Sequence, residues 1–227
     1  MVEKLKSILK RAHWSLAIRA VIFGLAWFFL PFWLFLFIAL YLYFVPFFQS
    51  RRLLWPFFSL LILAFVEPAN FLFLVIFAAL FYYLLLIKDL LLIDRRFAHE
   101  LLILVLSFLL VHDFYEKFRW VIGGTALAYS FLLAVLVTLM VKGFMDNKDS
   151  LLFWFFFVLA WQFLVLGLFL PVSFIYQTLI VFIILFTLID IVSGYSLGDV
   201  SRNKILATSL STSILLVIVL ASASWKA

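Results

Sequence analysis

The chain has 227 residues, of which 69% are hydrophobic and 12% are charged, and its formal net charge is +6. A soluble domain is about half apolar and roughly one quarter charged, so this composition excludes a globular protein that faces water. The basic residues are divided among short segments, which favours a membrane and argues against nucleic acid as a partner. No cysteine is present, which removes disulfides, thiolate metal sites and cysteine nucleophiles.

The first thirteen residues have the pattern of a basic amphipathic helix. Apolar residues recur at three-to-four spacing from Val2 to Ala12, and four cations occupy the other face: Lys4, Lys6, Lys10 and Arg11. This pattern predicts that residues 1–13 lie on an anionic membrane surface, with a plain cytoplasmic flank of the first span as the alternative. Residues 14–227 are then predicted to form a single transmembrane helical domain.

Long uncharged runs, interrupted by proline and polar turns, define the predicted spans. Residues 20–48 and 151–189 each carry no charge and are too long for one span, so Pro31 and Pro171 are predicted to separate two helices each. Glu67-Pro68-Ala69-Asn70 has the chemistry of a hairpin turn. The predicted fold is an all-α polytopic membrane bundle with these spans: 14–30, 32–48, 53–66, 71–87, 97–111, 121–141, 151–170, 172–189 and 205–221.

The segment 97–111 decides between nine spans and eight. Its 15 residues are short for a span, but apart from His99, Glu100 and Ser107 they are apolar on every side, which favours immersion in lipid over a position on the surface. Under either count most Lys and Arg residues fall on one side of the membrane, and this bias predicts a cytoplasmic N-terminus. The bias is similar in the two models, so charge does not choose between them.

Few polar side chains lie deep in the predicted spans. Gln162 lies near the centre of its span, where an amide needs a partner on another helix or a cavity. We expect it to serve helix packing and not substrate binding. Asp190 lies near the inner end of the next span, where we expect a structural ion pair with Arg202 or Lys204.

The remaining candidates flank apolar runs. Glu67 lies in the predicted hairpin turn, where we expect its carboxylate to reach water. His99 and Glu100 lie at the start of the 97–111 segment and Asp113 follows its end, so about 20 Å of helix separates the two positions. His99 and Glu100 do not form an HExxH motif, because Ile103 occupies the last position. No metal, catalytic site or cofactor is predicted.

The last predicted span carries small and hydroxyl residues at four-residue spacing. Such residues let two helix backbones approach closely, and the predicted packing face consists of Ala207, Thr208, Ser209, Ser211, Thr212 and Ser213. The sequence therefore favours a non-catalytic membrane subunit or scaffold, with the lipid bilayer and other membrane protein subunits as its partners. The alternative is a transporter, channel or lipid-handling protein for an apolar or uncharged substrate. An ion-driven carrier is disfavoured, because such carriers normally place a charged group near the midplane.

Overall fold

A computed structural model describes residues 2–45, 53–89, 95–118, 123–144, 150–196, 201–223 and 225, without the side chains of 2–13, 95–96, 144, 196, 202 and 204. The regular structure of these residues is entirely helical, which confirms the all-α class. In chain order the α-helices are α1 Val2–Phe29, α2 Phe32–Phe44, α3 Leu54–Val66, α4 Phe71–Lys88, α5 Arg95–Lys117, α6 Gly124–Val141, α7 Ser150–Leu168, α8 Phe174–Ser196 and α9 Arg202–Ser222.

Within the described residues, each predicted span corresponds to one α-helix. Six of these helices, α4 to α9, are long and apolar enough to cross a membrane. The apolar parts of α1, α2 and α3 are shorter, at Trp14–Phe29, Phe32–Phe44 and Leu54–Val66. The chain is therefore a membrane-embedded protein with several spanning helices, and the total of nine spans remains a prediction.

The prolines and the polar tetrapeptide mark helix boundaries as predicted. Pro31 stands between α1 and α2, with φ −57° and ψ 145°, a conformation that does not continue a helix. Pro171 lies in the turn between α7 and α8. Asn70 begins α4, and its side-chain Oδ1 accepts a hydrogen bond from the Leu72 backbone N–H at 3.2 Å. Each of these positions separates two helices where the sequence pattern placed a boundary.

Helix α5 is longer than the 97–111 segment predicted for it. It continues through the charged residues to Lys117, because these residues pair along the helix at four-residue spacing. Lys117 Nζ lies 2.8 Å from Asp113 Oδ1, and His112 Nδ1 lies 3.8 Å from Glu116 Oε2. The resulting Phe97–Lys117 stretch is long enough to span.

Helix α1 runs without interruption from Val2 to Phe29. The predicted amphipathic segment 1–13 is therefore helical from residue 2 and continuous with the first apolar segment. The side chains of residues 1–13 lie outside the described part of the chain. The position of this segment on a membrane surface, and the cytoplasmic N-terminus, remain predictions.

The chain divides into two compact units, Met1–Leu106 and Ser107–Ala227. In unit 1, α1 packs against α4 and α2, and α3 packs against α4. The Phe23 ring stacks on the Phe81 ring with centroids 4.1 Å apart. A Cβ added at Gly24 would lie 3.1 Å from Ala78 Cβ, so α1 and α4 approach closely at that glycine.

In unit 2, α6 packs against α7, α7 against α8, and α8 against α9. Helix α5 joins this unit through Tyr115, whose hydroxyl donates a hydrogen bond to the Leu164 carbonyl of α7 at 2.8 Å. The Tyr115 ring lies directly over Gly167, where an added Cβ would be 2.7 Å from Tyr115 Cζ. A side chain at position 167 would therefore have to displace the ring or the helix.

Candidate functional site

Two basic side chains of unit 1 meet the C-terminal end of α2. This helix has 13 residues and is about 20 Å long, which is short against roughly 30 Å of hydrocarbon. The last carbonyls of a helix need partners from outside it. Arg19 Nη1 donates a hydrogen bond to the Val45 carbonyl at 2.8 Å, and Lys88 Nζ donates to the Tyr43 carbonyl. The cations also complement the negative end of the α2 dipole.

Further polar groups surround this helix end. Lys88 is only 3% exposed, and its Nζ lies 4.6 Å from the centroid of the Tyr43 ring, a cation–π arrangement. The next residue is Asp89. Burial raises the pKa of the Asp89 carboxyl, and the positive charges of Lys88 and Arg19 act in the opposite direction. Within the described residues, the Tyr43 hydroxyl and Asp89 Oδ1 are buried without a hydrogen-bond partner.

We call Arg19, Tyr43, Lys88 and Asp89 the basic cap. The arrangement supplies donors to the carbonyls at the end of a short helix, and it places two cations near the end of α4. The sequence prediction missed it, because Lys88 was placed just after its span and Arg19 was counted with the cations of the inner side. One signal was available, since Arg19 lies within the predicted span 14–30, where a cation is costly unless it is paired or reaches a polar group.

A polar seam joins α8 to α9 in unit 2. Thr187 Oγ1 lies 2.6 Å from Thr212 Oγ1, and Thr208 Oγ1 donates to Asp190 Oδ2 at 3.3 Å. The described partner of Asp190 is thus a hydroxyl. The predicted ion pair with Arg202 or Lys204 involves side chains outside the described residues.

The predicted packing face of α9 divides into two parts. Thr208 and Thr212 contact α8 through the seam, whereas the rest of the face is exposed on the surface of the chain: Ala207, Ser209, Ser211 and Ser213. No residue of the Ile205–Ser222 window is buried, compared with 33–50% of the residues in the other five spanning windows. Helix α9 is therefore the least covered spanning helix of the described chain.

Gln162 lies on the exposed surface of α7. None of the described residues is hydrogen-bonded to its amide, so the partner that we expected on another helix is not found there. The adjacent residue makes the interhelical contact instead. Trp161 Nε1 donates to Ser130 Oγ of α6 at 3.2 Å, and its ring meets Phe131 edge-on at 5.7 Å between centroids.

The other predicted candidates are dispersed. Glu67 ends α3 as its C-cap residue, with its backbone N–H bonded to the Leu63 carbonyl, and its side chain is half-buried. His99 is buried and Glu100 is half-buried near the start of α5, whereas Asp113 lies near the end of that helix and pairs with Lys117. Among the described residues, no three His, Asp or Glu side chains lie close enough to hold a metal ion.

No protein-family model, curated protein or solved structure matches this chain. Its class therefore rests on its own helices. It is a multi-spanning membrane protein. The length and composition of α4 to α9 decide this.

Proposed function

We propose that this chain is a non-catalytic membrane subunit whose last helix packs against a transmembrane helix of another membrane protein. The observation that carries the proposal is the absence of buried residues in the Ile205–Ser222 window. Every other spanning helix of the described chain is substantially covered by its neighbours.

The side chains exposed on α9 support a protein partner over lipid alone. Ala207 and Ser211 are four residues apart on the same side of the helix, away from the α8 seam. Small residues at this spacing let a second helix approach closely, so that backbone and side-chain contacts replace loose contacts with lipid tails. The Ser211 hydroxyl donates to the Thr208 carbonyl at 2.9 Å, so it adds no unpaired polar group to such an interface.

The experiment compares two bulky substitutions on α9. Ser211→Phe fills the proposed contact, whereas Val217→Phe changes an exposed residue about 120° around the helix. The chain is purified from its native membrane in mild detergent, and native mass spectrometry measures its partners. We expect a stoichiometric protein partner with the unchanged chain and with Val217→Phe, and loss of that partner with Ser211→Phe.

Two results would contradict the proposal. One is a chain that purifies with lipid alone in every variant. The other is a partner that Ser211→Phe and Val217→Phe release equally. Near-equal expression and helical content of the two variants show that both are folded, so the comparison reports the α9 surface.

Lipid handling is a second candidate, and the basic cap favours it. Phospholipid phosphates lie at the membrane boundary, and basic groups between helices on that side bind anionic head groups. The Arg19 guanidinium has five N–H donors, and its half-buried position leaves part of it accessible. If so, the purified chain moves fluorescent phospholipid between the two leaflets of a liposome membrane, and Arg19→Gln slows this movement. Lys142→Gln changes an exposed cation outside the basic cap and should leave the rate unchanged.

A further inference from the structure

We propose that two copies of this chain pair through α7, with the two Gln162 amides hydrogen-bonded to each other. This inference goes beyond the proposed function, because it uses a different helix and a different partner. It begins from the depth of Gln162, which lies twelve residues after Ser150 and six before Leu168. These separations correspond to about 18 Å and 9 Å of helix, so the amide lies within the hydrocarbon and is too short to reach either boundary.

An exposed amide at this depth needs a partner. Lipid tails offer no hydrogen bond, and an unpaired amide in an apolar medium is costly. None of the described residues supplies one. The rotation of α7 is fixed, because the neighbouring Trp161 is held to α6 by its bond to Ser130 and its contact with Phe131. Gln162 therefore remains on the outer surface.

The face around Gln162 has the spacing of a helix–helix seam. The exposed residues that share this face recur at intervals of four and three along α7: Leu151, Phe155, Val158, Gln162 and Leu166. This spacing is close to the 3.6 residues of a helical turn, so the five side chains form one continuous stripe along α7. This face of α7 carries no charge, so two copies do not repel each other there. Gln162 is its one polar residue, as a register-defining amide is in a coiled coil.

A second copy of the chain satisfies this amide better than an unrelated helix does. Copies in one membrane have the same orientation, so two α7 helices run parallel and each Gln162 meets its counterpart at the same depth. Glutamine has both a donor NH2 and an acceptor oxygen, so a two-fold axis gives two reciprocal N–H···O bonds. Such self-complementary contacts are the basis of two-fold dimers, the commonest oligomers. An unrelated helix would need its own polar residue at the matching depth.

The test measures dimerisation of the purified full chain in liposomes. Donor- and acceptor-labelled chains are mixed at a series of lipid-to-protein ratios, and energy transfer gives the fraction of dimer. We expect Gln162→Leu to weaken the dimer about fivefold to thirtyfold, as for amide contacts between model membrane helices. Gln162→Asn keeps the amide and should restore part of the affinity. Because Gln162 is exposed, unchanged helical content and thermal stability of both variants show that folding is intact.

Cross-linking locates the contact. The chain has no cysteine, so one introduced cysteine reports one position. We expect Val158→Cys to form a disulfide-linked dimer on oxidation, and the exposed Leu132→Cys of α6 to remain monomeric. Gln162→Leu should reduce the Val158→Cys product. A chain that is monomeric at every lipid ratio, a dimer insensitive to Gln162→Leu, or equal cross-linking at positions 158 and 132 would each overturn the proposal. Loss of the α9 partner in the Ser211→Phe variant leaves this result unaffected.

Discussion

Gly167→Ala should destabilise unit 2 through the ring of Tyr115. The added Cβ would lie 2.7 Å from Tyr115 Cζ and 2.8 Å from Val181 Cγ2, closer than packed carbon atoms approach. The ring cannot retreat easily, because its hydroxyl is bonded to the Leu164 carbonyl at 2.8 Å. Overpacking costs about 1–3 kcal/mol, and loss of the bond adds about 0.5–1.5 kcal/mol. Alanine recovers about 0.5–1 kcal/mol over glycine in a helix, so we expect a net loss of about 0.5–4 kcal/mol.

The assay is SDS titration of the chain in mixed micelles, with helical content as the signal and the free energy of unfolding as the result. Gly124→Ala is the matched control, because a Cβ added there meets nothing within 4 Å. It should be neutral or slightly stabilising. Tyr115→Phe removes the hydroxyl and frees the ring, so Gly167→Ala should cost at least about 0.5 kcal/mol less in that background. Equal costs in both backgrounds, or an alanine variant as stable as the unchanged chain, would refute the reasoning.

Substitutions at three further contacts are tested in the same titration. Asn70→Ala removes the N-cap of α4 and should cost about 1 kcal/mol. The stability losses from Thr187→Val and Thr212→Val should be non-additive by about 0.5–1.5 kcal/mol, because each substitution removes the same hydroxyl contact. Additive losses would show that the contact between Thr187 and Thr212 does not stabilise the chain. Trp161→Phe removes the indole hydrogen bond to Ser130, so it should cost about 1 kcal/mol more in the unchanged chain than in a Ser130→Ala background. In that background the indole has no bond to Ser130 to lose.

Helix positions were largely predictable from the sequence, because turns in lipid require residues that are recognisable by type. Pro31 and Pro171 cannot continue a helix, and Asn70 caps one with its side chain. The end of α5 was predicted too early. Charge was taken to end the helix after Val111, whereas charged residues at four-residue spacing pair with each other and extend it to Lys117.

The direction in which each helix faces was not predictable in the same way. Membrane helices are apolar on every side, so no hydrophobic stripe distinguishes the packed side from the lipid side. Gln162 was predicted to lie near the centre of its span with a partner on another helix. The packing of Trp161 that turns Gln162 outward depends on α6, and no spacing within α7 predicts that contact. The basic cap depends likewise on α1, α2 and α4 meeting at one point. The spacing of residues along one helix does not indicate which other helices it contacts.

The central claim is that α4 to α9 are surrounded by lipid, and cysteine labelling in intact membranes tests it most directly. The chain has no cysteine of its own, so single variants are read without background. Leu132 and Leu210 are 61% and 65% exposed on the chain, so no described residue of the chain shields them from a water-soluble reagent. We expect Leu132→Cys and Leu210→Cys to resist a water-soluble maleimide until detergent is added, and Asn70→Cys and Gly123→Cys in the turns to react in opened vesicles. Equal labelling of helix and turn positions before detergent would contradict the account.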